Sequence, residues 1–215
     1  MTTPPTRIAL VRHGETDWNR RHRIQGMTDI PLNDTGREQA RATGRLLARR
    51  NWDRVFASPL SRALETAAII ADELGLPEPE VVQALAERDY GAAEGMSFAE
   101  IDRTYGRNGD VPGQEPRAAV MARVIPALHD LAARYPGAAL LAVSHGGAIR
   151  SAMMSADPGS SHGVITNGSV HSFELREGGL RLVAFDDPLD EVSSQLGESL
   201  DAQNAVEARD DEGAA

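Results

Sequence analysis

Apolar residues along this chain fall into short runs, separated by longer stretches in which they recur every third or fourth position. Runs over residues 7–11, 53–57, 81–85 and 138–144 read as strands, each passing straight into polar residues at its carboxyl end. Between them the period is helical. Leu64, Ala67, Ala68, Ala71 and Leu74 lay one stripe on a helix after Ser61. Met121, Val124, Ile125 and Leu128 do the same over residues 117–134, where Pro126 removes an amide and should kink the helix. Thr35 with Glu38 has the side chains of a capping box before a helix ending near residue 50, and Ser97 with Glu100 marks a shorter one. Residues 170–175 and 180–185, joined through Gly178 and Gly179, read as a closing hairpin. This alternation predicts an α/β fold, a three-layer α/β/α sandwich around a mostly parallel central sheet.

Composition narrows the chemistry. The 215 residues suffice for one sizeable core, and residues 1–185 are expected to form a single domain. Cysteine is absent, which excludes cysteine nucleophiles and thiolate metal sites. All 22 basic residues are Arg, so no Lys is present for a phosphate-binding Walker loop, a Schiff base or a kinase β-strand. The net charge of −10 is uneven: residues 186–215 carry ten Asp and Glu against one Arg, while the preceding 185 residues are nearly balanced. Residues 186–215 therefore read as an acidic, flexible C-terminal tail. A body without a basic excess gives no support for nucleic-acid binding. The first residues lack a signal-peptide pattern and the longest apolar run, residues 138–143, is too short to span a bilayer, so a cytoplasmic protein with no membrane partner is expected.

The predicted strand ends deliver Arg12-His13-Gly14-Glu15, Ser58-Pro59-Leu60-Ser61-Arg62, Glu87-Arg88 and Ser144-His145-Gly146-Gly147. Ligands of open α/β sheets bind at the carboxyl ends of strands. Phosphoryl transfer needs fixed donors for three equatorial oxygens, an in-line nucleophile and a proton for the leaving oxygen. Two His, two Arg and a Glu supply these parts. Arg12 and Arg62 offer bidentate, permanently charged donors, and amides around Gly146 at a helix start add a favourable dipole.

These segments, together with Leu10-Val11, Thr16, Gln25-Gly26, residues 30–36, Ala63, Glu65-Thr66 and Asp89-Tyr90-Gly91, resemble the histidine phosphatase superfamily in its phosphoglycerate-mutase-like branch, in the right order over about residues 7–175. The resemblance implies that His13 attacks phosphorus and becomes a phosphohistidine, that Arg12, Arg62 and His145 hold the phosphoryl oxygens, and that Glu87 protonates the leaving alkoxide. Asp89 competes for that last role. It further implies phosphate contacts from Asn19 and Gly146, substrate contact from Gln25, and help from Arg88 in binding a phosphoglycerate. No cofactor and no metal are implied, because the arginines replace the cation.

His22, His129, His162 and His171 read as structural, and Arg20, Arg21 and Arg23 as a solvated face. The H-E-x-x-H spacing of a zinc helix is missing, and both strand-end histidines are expected to lie beside cations that would repel a metal. Asn19 can equally be a turn residue. Only about ten residues separate Tyr105 from Glu115, where cofactor-dependent mutases of the family carry a longer basic insert. A phosphatase acting on small phosphomonoesters is therefore favoured over a mutase, with a non-catalytic phosphoryl-binding module as a third reading. A small phosphorylated substrate is the expected partner. A homodimer is left open.

Overall fold

The computed structural model describes residues 4–107, 109–158, 163–176 and 179–185. The acidic tail, His162 and Gly178 lie outside the described residues. Strands β1 (Thr6–Arg12), β2 (Arg54–Ala57), β3 (Glu80–Val81), β4 (Ala139–Ser144), β5 (Val170–Arg176) and β6 (Gly179–Ala184) form one sheet in the order β3-β2-β4-β1-β5-β6. The first four strands in that order are parallel, and the β5–β6 hairpin closes the sheet antiparallel to β1.

Period-two alternation assigns the strand residues to two faces. Ile8, Leu10, Phe56, Leu140 and Ala142 join one core with α5 (Arg117–Arg134) and α6 (Gly146–Ala156). Ala9, Val11, Val55, Ala57, Leu141 and Val143 join the other with α2 (Asp34–Leu47) and α3 (Ser61–Leu74). The result is the expected three layers, each large apolar side chain contributing about 1.5–3 kcal/mol by burial. Neighbouring β1 and β4 send their chains to opposite faces, toward α2 and α6. A crevice therefore opens at their carboxyl ends.

Several local expectations are corrected. The third strand is not residues 81–85: only Glu80–Val81 pairs, because β2 ends at Ala57 and offers nothing further, and Gln83–Leu85 forms a 3-10 turn that buries Leu85. Thr35 does not cap α2. Asn33 does, its side chain accepting the Gly36 amide, which leaves Thr35 within the first turn. Helix α5 contains Pro126 within its span, as expected, with the proline facing solvent. A short helix not foreseen, α1 (Asp17–Arg20), starts at a capping box between Thr16 and Asn19, whereas the box at Ser97 and Glu100 opens α4 (Phe98–Tyr105) as expected. No helix among the described residues is long and apolar enough to cross a membrane.

Candidate active site

His13 follows β1 directly. Its amide donates to the Ser144 carbonyl at 3.0 Å, and its own carbonyl accepts from Asn167 Nδ2 at 2.9 Å, so the backbone is held between β4 and the turn before β5. The ring is buried with Nδ1 2.7 Å from the Gly14 carbonyl oxygen. A carbonyl can only accept, so Nδ1 carries the proton and Nε2 keeps its lone pair. Nε2 is buried and has no protein partner. Burial first, then the charges of Arg62 and Arg12, push the imidazole well below its ordinary 6.5, which leaves it neutral at pH 7.

Gly14 is required by close approach: a Cβ there would stand 2.3 Å from the Gly36 carbonyl oxygen at the start of α2. Its amide donates to Thr66 Oγ1 at 3.1 Å, and Thr66 in turn donates to the Arg62 carbonyl at 2.7 Å, tying the turn after His13 to α3. The first turn of α3 lacks a cap of its own. Asp29 supplies it from a distant loop, accepting from both the amide and the hydroxyl of Ser61.

Arg62 is fully buried on α3 and donates to the carbonyls of Thr28 (3.0 Å) and Gly26 (2.7 Å), while its Nε has no protein partner. Burial lowers it to about 10, against the supporting charges of Glu87, Asp29 and Glu94, so it stays a cation at neutral pH. The 26–28 loop that receives Arg62 is held from its other side by Glu94, which accepts the amides of Met27 and Thr28 and the Thr28 hydroxyl. Arg12 lies at the end of β1, buried, with Nη1 on the Ile165 carbonyl at 2.6 Å. His145 follows β4 directly and forms the N-cap of α6. Its Nε2 lies 2.7 Å from Ser58 Oγ and its buried Nδ1 has no protein partner. Burial, Arg62, His13 and Arg12, in that order, lower its pKa well below 6.5.

Glu87 is buried, but not at a strand end. It sits in irregular chain after the 3-10 turn, one carboxylate oxygen accepting the Arg88 amide at 2.7 Å and the other facing the Gly147 amide at 3.3 Å. The start of α6, with Gly146, thus points at the Glu87 carboxylate. Asp89 Oδ1 accepts the amide of Gly91 at 2.7 Å, an Asx-type turn that gives this carboxylate a local structural use. Arg88 turns its guanidinium over the Tyr90 ring and its Nε to the Glu115 carbonyl.

The structure therefore brings Arg12, His13, Arg62, Glu87, His145 and the start of α6 together, whereas Arg88 packs along its own loop. Asn19 and Gln25 are buried nearby and linked through Thr16: its hydroxyl donates 3.0 Å to Asn19 Oδ1 and lies 2.9 Å from Gln25 Oε1, while Gln25 Nε2 has no protein partner. Asn19 Oδ1 also faces Asn167 Nδ2 at 3.5 Å. His22 and His129 are exposed, and His171 is buried in β5 against Ser169 and Phe185. Arg20 pairs with Asp17, and Arg23 with Glu100. Sequence reading gave no role to Ser58, Thr66, Glu94 or Asn167. Ser58 and Thr66 stand inside matched motifs, while Glu94 and Asn167 act across distances in sequence that no local signal marks.

Chemically, the crevice joins an uncharged imidazole with an available lone pair, two buried guanidinium groups, a second imidazole and a buried carboxyl group. Among the described residues no cluster of three or more His, Asp or Glu side chains has metal-binding geometry. The family model of the histidine phosphatase superfamily (branch 1) matches residues 8–188. The chain is 45% identical over 144 residues to the uncharacterized phosphatase PhoE of Bacillus subtilis, covering 67% of this chain and 74% of that protein. It is 32% identical over 195 residues to a 2,3-bisphosphoglycerate-dependent phosphoglycerate mutase of Parvibaculum lavamentivorans, covering 81% and 93%. The solved structure of a mycobacterial glucosyl-3-phosphoglycerate phosphatase superimposes with a TM-score of 0.77 at 27% identity, covering 85% of this chain and 99% of that one.

Proposed function

Because the chain belongs to branch 1 of the histidine phosphatase superfamily, we propose that it is a metal-independent phosphatase of small phosphomonoesters, sugar phosphates or phosphoglycerate derivatives, with His13 as nucleophile and Glu87 as general acid. The observation that carries this reading is the state of His13: protonated Nδ1 donates a hydrogen bond to the Gly14 carbonyl, so the unpartnered Nε2 is a ready nucleophile at neutral pH.

In the first step, with Glu87 having taken up a proton as the anionic substrate binds, the Nε2 lone pair attacks phosphorus, the ester P–O bond breaks, and the leaving alkoxide takes the Glu87 proton. Glu87, now a carboxylate, then takes a proton from water as its oxygen attacks the phosphohistidine. The P–N bond breaks, the lone pair returns to Nε2 and inorganic phosphate leaves. Arg12, Arg62 and His145 Nδ1 would hold the phosphoryl oxygens, replacing a metal as the stabiliser of transition-state charge. Gln25 Nε2 and Asn19 border the substrate.

The mutase reading draws on relatives such as the Parvibaculum enzyme. Against it stands the short connection between α4 and α5, residues 106–116, which leaves no room for a long basic insert. The test incubates metal-free protein and His13→Ala with p-nitrophenyl phosphate, 3-phosphoglycerate and a panel of sugar phosphates, following free phosphate and phosphoglycerate isomers. Phosphate release lost in the variant supports the phosphatase. Isomerisation with little release makes the protein a mutase, and binding without either reaction makes it a phosphoryl-binding module.

A further inference from the structure

The segment that carries Glu87 has little regular structure of its own, since its strand ends at Val81 and only the 3-10 turn Gln83–Leu85 follows. Its backbone carbonyls must find partners elsewhere. Ser144 Oγ donates to the Leu85 carbonyl at 2.8 Å, and one guanidinium, that of Arg123 on α5, takes those of Ala84, Ala86 and Glu87. Nη1 donates to the carbonyls of Ala84 at 2.8 Å and Ala86 at 2.7 Å, and Nη2 to that of Glu87 at 2.9 Å. Nε and Nη2 complete the set on the two oxygens of Glu115, each at 2.9 Å.

A guanidinium has five N–H donors, and here all five go to protein oxygens, leaving none for a substrate phosphate. Arg62 differs, since its Nε has no protein partner. Glu115 balances the charge of Arg123 and extends the clamp: its Oε2 accepts the Asp89 amide at 3.2 Å, its own amide donates to the Asp89 carbonyl at 2.8 Å, and its carbonyl takes Arg88 Nε at 2.8 Å. The backbone on both sides of Glu87 is thus fixed to a single ion pair at the start of α5.

We propose that Arg123, balanced by Glu115, is the positioning residue for the Glu87 carboxyl group, acting on its backbone so that the acid meets the leaving oxygen without Arg123 touching substrate. This rests on the reading of Glu87 as general acid. A misplaced acid matters only where the leaving group needs its proton, so the clamp has a kinetic signature distinct from a general loss of structure.

The experiment compares wild type, Arg123→Ala, Glu87→Gln and the double variant on p-nitrophenyl phosphate, whose leaving group needs no proton, and on an alkyl ester, glycerol 3-phosphate. Arg123→Ala is expected to lower kcat on the alkyl ester by at least about tenfold more than on the aryl ester. KM should change less than about threefold on both, and no further loss should follow when Glu87 is already Gln. Equal losses on the two esters, or additive losses in the double variant, overturn the proposal. If Glu87→Gln itself slows both esters equally, the acid reading fails and the positioning role falls with it. If Glu87→Gln is selective and Arg123→Ala is not, the acid reading stands and only the positioning role is lost. Should Arg123→Ala not fold, Arg123→Lys keeps the charge but cannot span three carbonyls and a carboxylate. It is expected to show the same selectivity at smaller size, and a wild-type ratio between the esters overturns the proposal.

Discussion

The imidazole rings of His13 and His145 lie 5.1 Å apart, centroid to centroid, tilted by 56° across the junction between β1 and β4. Two like-charged imidazolium groups would not be tolerated there beside Arg12 and Arg62. Burial, followed by Arg62, accordingly holds both well below 6.5 in the folded protein.

That depression makes stability depend on pH with a defined sign. In the unfolded chain both rings take up protons below about pH 6.5, while in the folded chain they resist until lower pH. Their contribution is therefore complete above the unfolded value and is lost as pH falls through the folded ones. Urea midpoints should fall as pH drops from about 7 to about 5, and His13→Gln/His145→Gln should show a shallower fall. Parallel pH dependences in the two proteins would contradict the assignment.

Arg62→Lys should cripple the protein although charge is formally kept. The guanidinium spans the Gly26 and Thr28 carbonyls and still presents Nε. An ammonium cannot reproduce that fork, and it starts about two pKa units lower before suffering the same burial. Phosphate release is expected to fall by about two orders of magnitude. Full activity in the lysine variant would show that neither the fork nor the permanent charge matters.

Much of this site was legible because its signals are local. Short apolar runs on β1, β2 and β4 predict the sheet, and the polar residues that follow each run place Arg12, His13, Ser58 and His145 at its rim. Where pairing partners decide the outcome, the sequence is mute: residues 81–85 carry strand-like apolar spacing, but β2 ends at Ala57 and the chain turns. Asn33 and Thr35 both have capping side chains, and only the backbone geometry chooses Asn33. The clamp of Arg123 on the Glu87 carbonyl joins residues 36 apart, and that of Asn167 on the His13 carbonyl residues 154 apart. No periodicity encodes such contacts.

Gly14→Ala tests the packing behind His13. The added methyl would meet not only the Gly36 carbonyl oxygen but also its Cα at 2.9 Å, both backbone atoms of a helix start that cannot yield cheaply. A loss of about 1–3 kcal/mol in stability is expected from such overpacking, read from denaturant midpoints. Phosphate release should fall as well, because the Gly14 carbonyl fixes the His13 tautomer. An unchanged midpoint would mean that α2 moves freely relative to β1.

Ser58→Ala tests the orientation of His145. Ser58 Oγ accepts the Leu60 amide at 3.3 Å and lies 2.7 Å from His145 Nε2, to which its hydroxyl can donate. With Nε2 accepting, the ring carries its proton on Nδ1, the atom with no protein partner and the one able to donate to a phosphoryl oxygen. Alanine removes that constraint: the other tautomer becomes available and a buried ring nitrogen is left unpaired. Losing such a partner costs about 1–3 kcal/mol, and if half or more of it falls on the transition state kcat/KM drops roughly tenfold or more. Ser58→Thr keeps the hydroxyl and should recover most of the rate. If alanine and threonine behave alike, or if both match wild type, the hydroxyl does not set the tautomer and His145 must be oriented by its place at the start of α6.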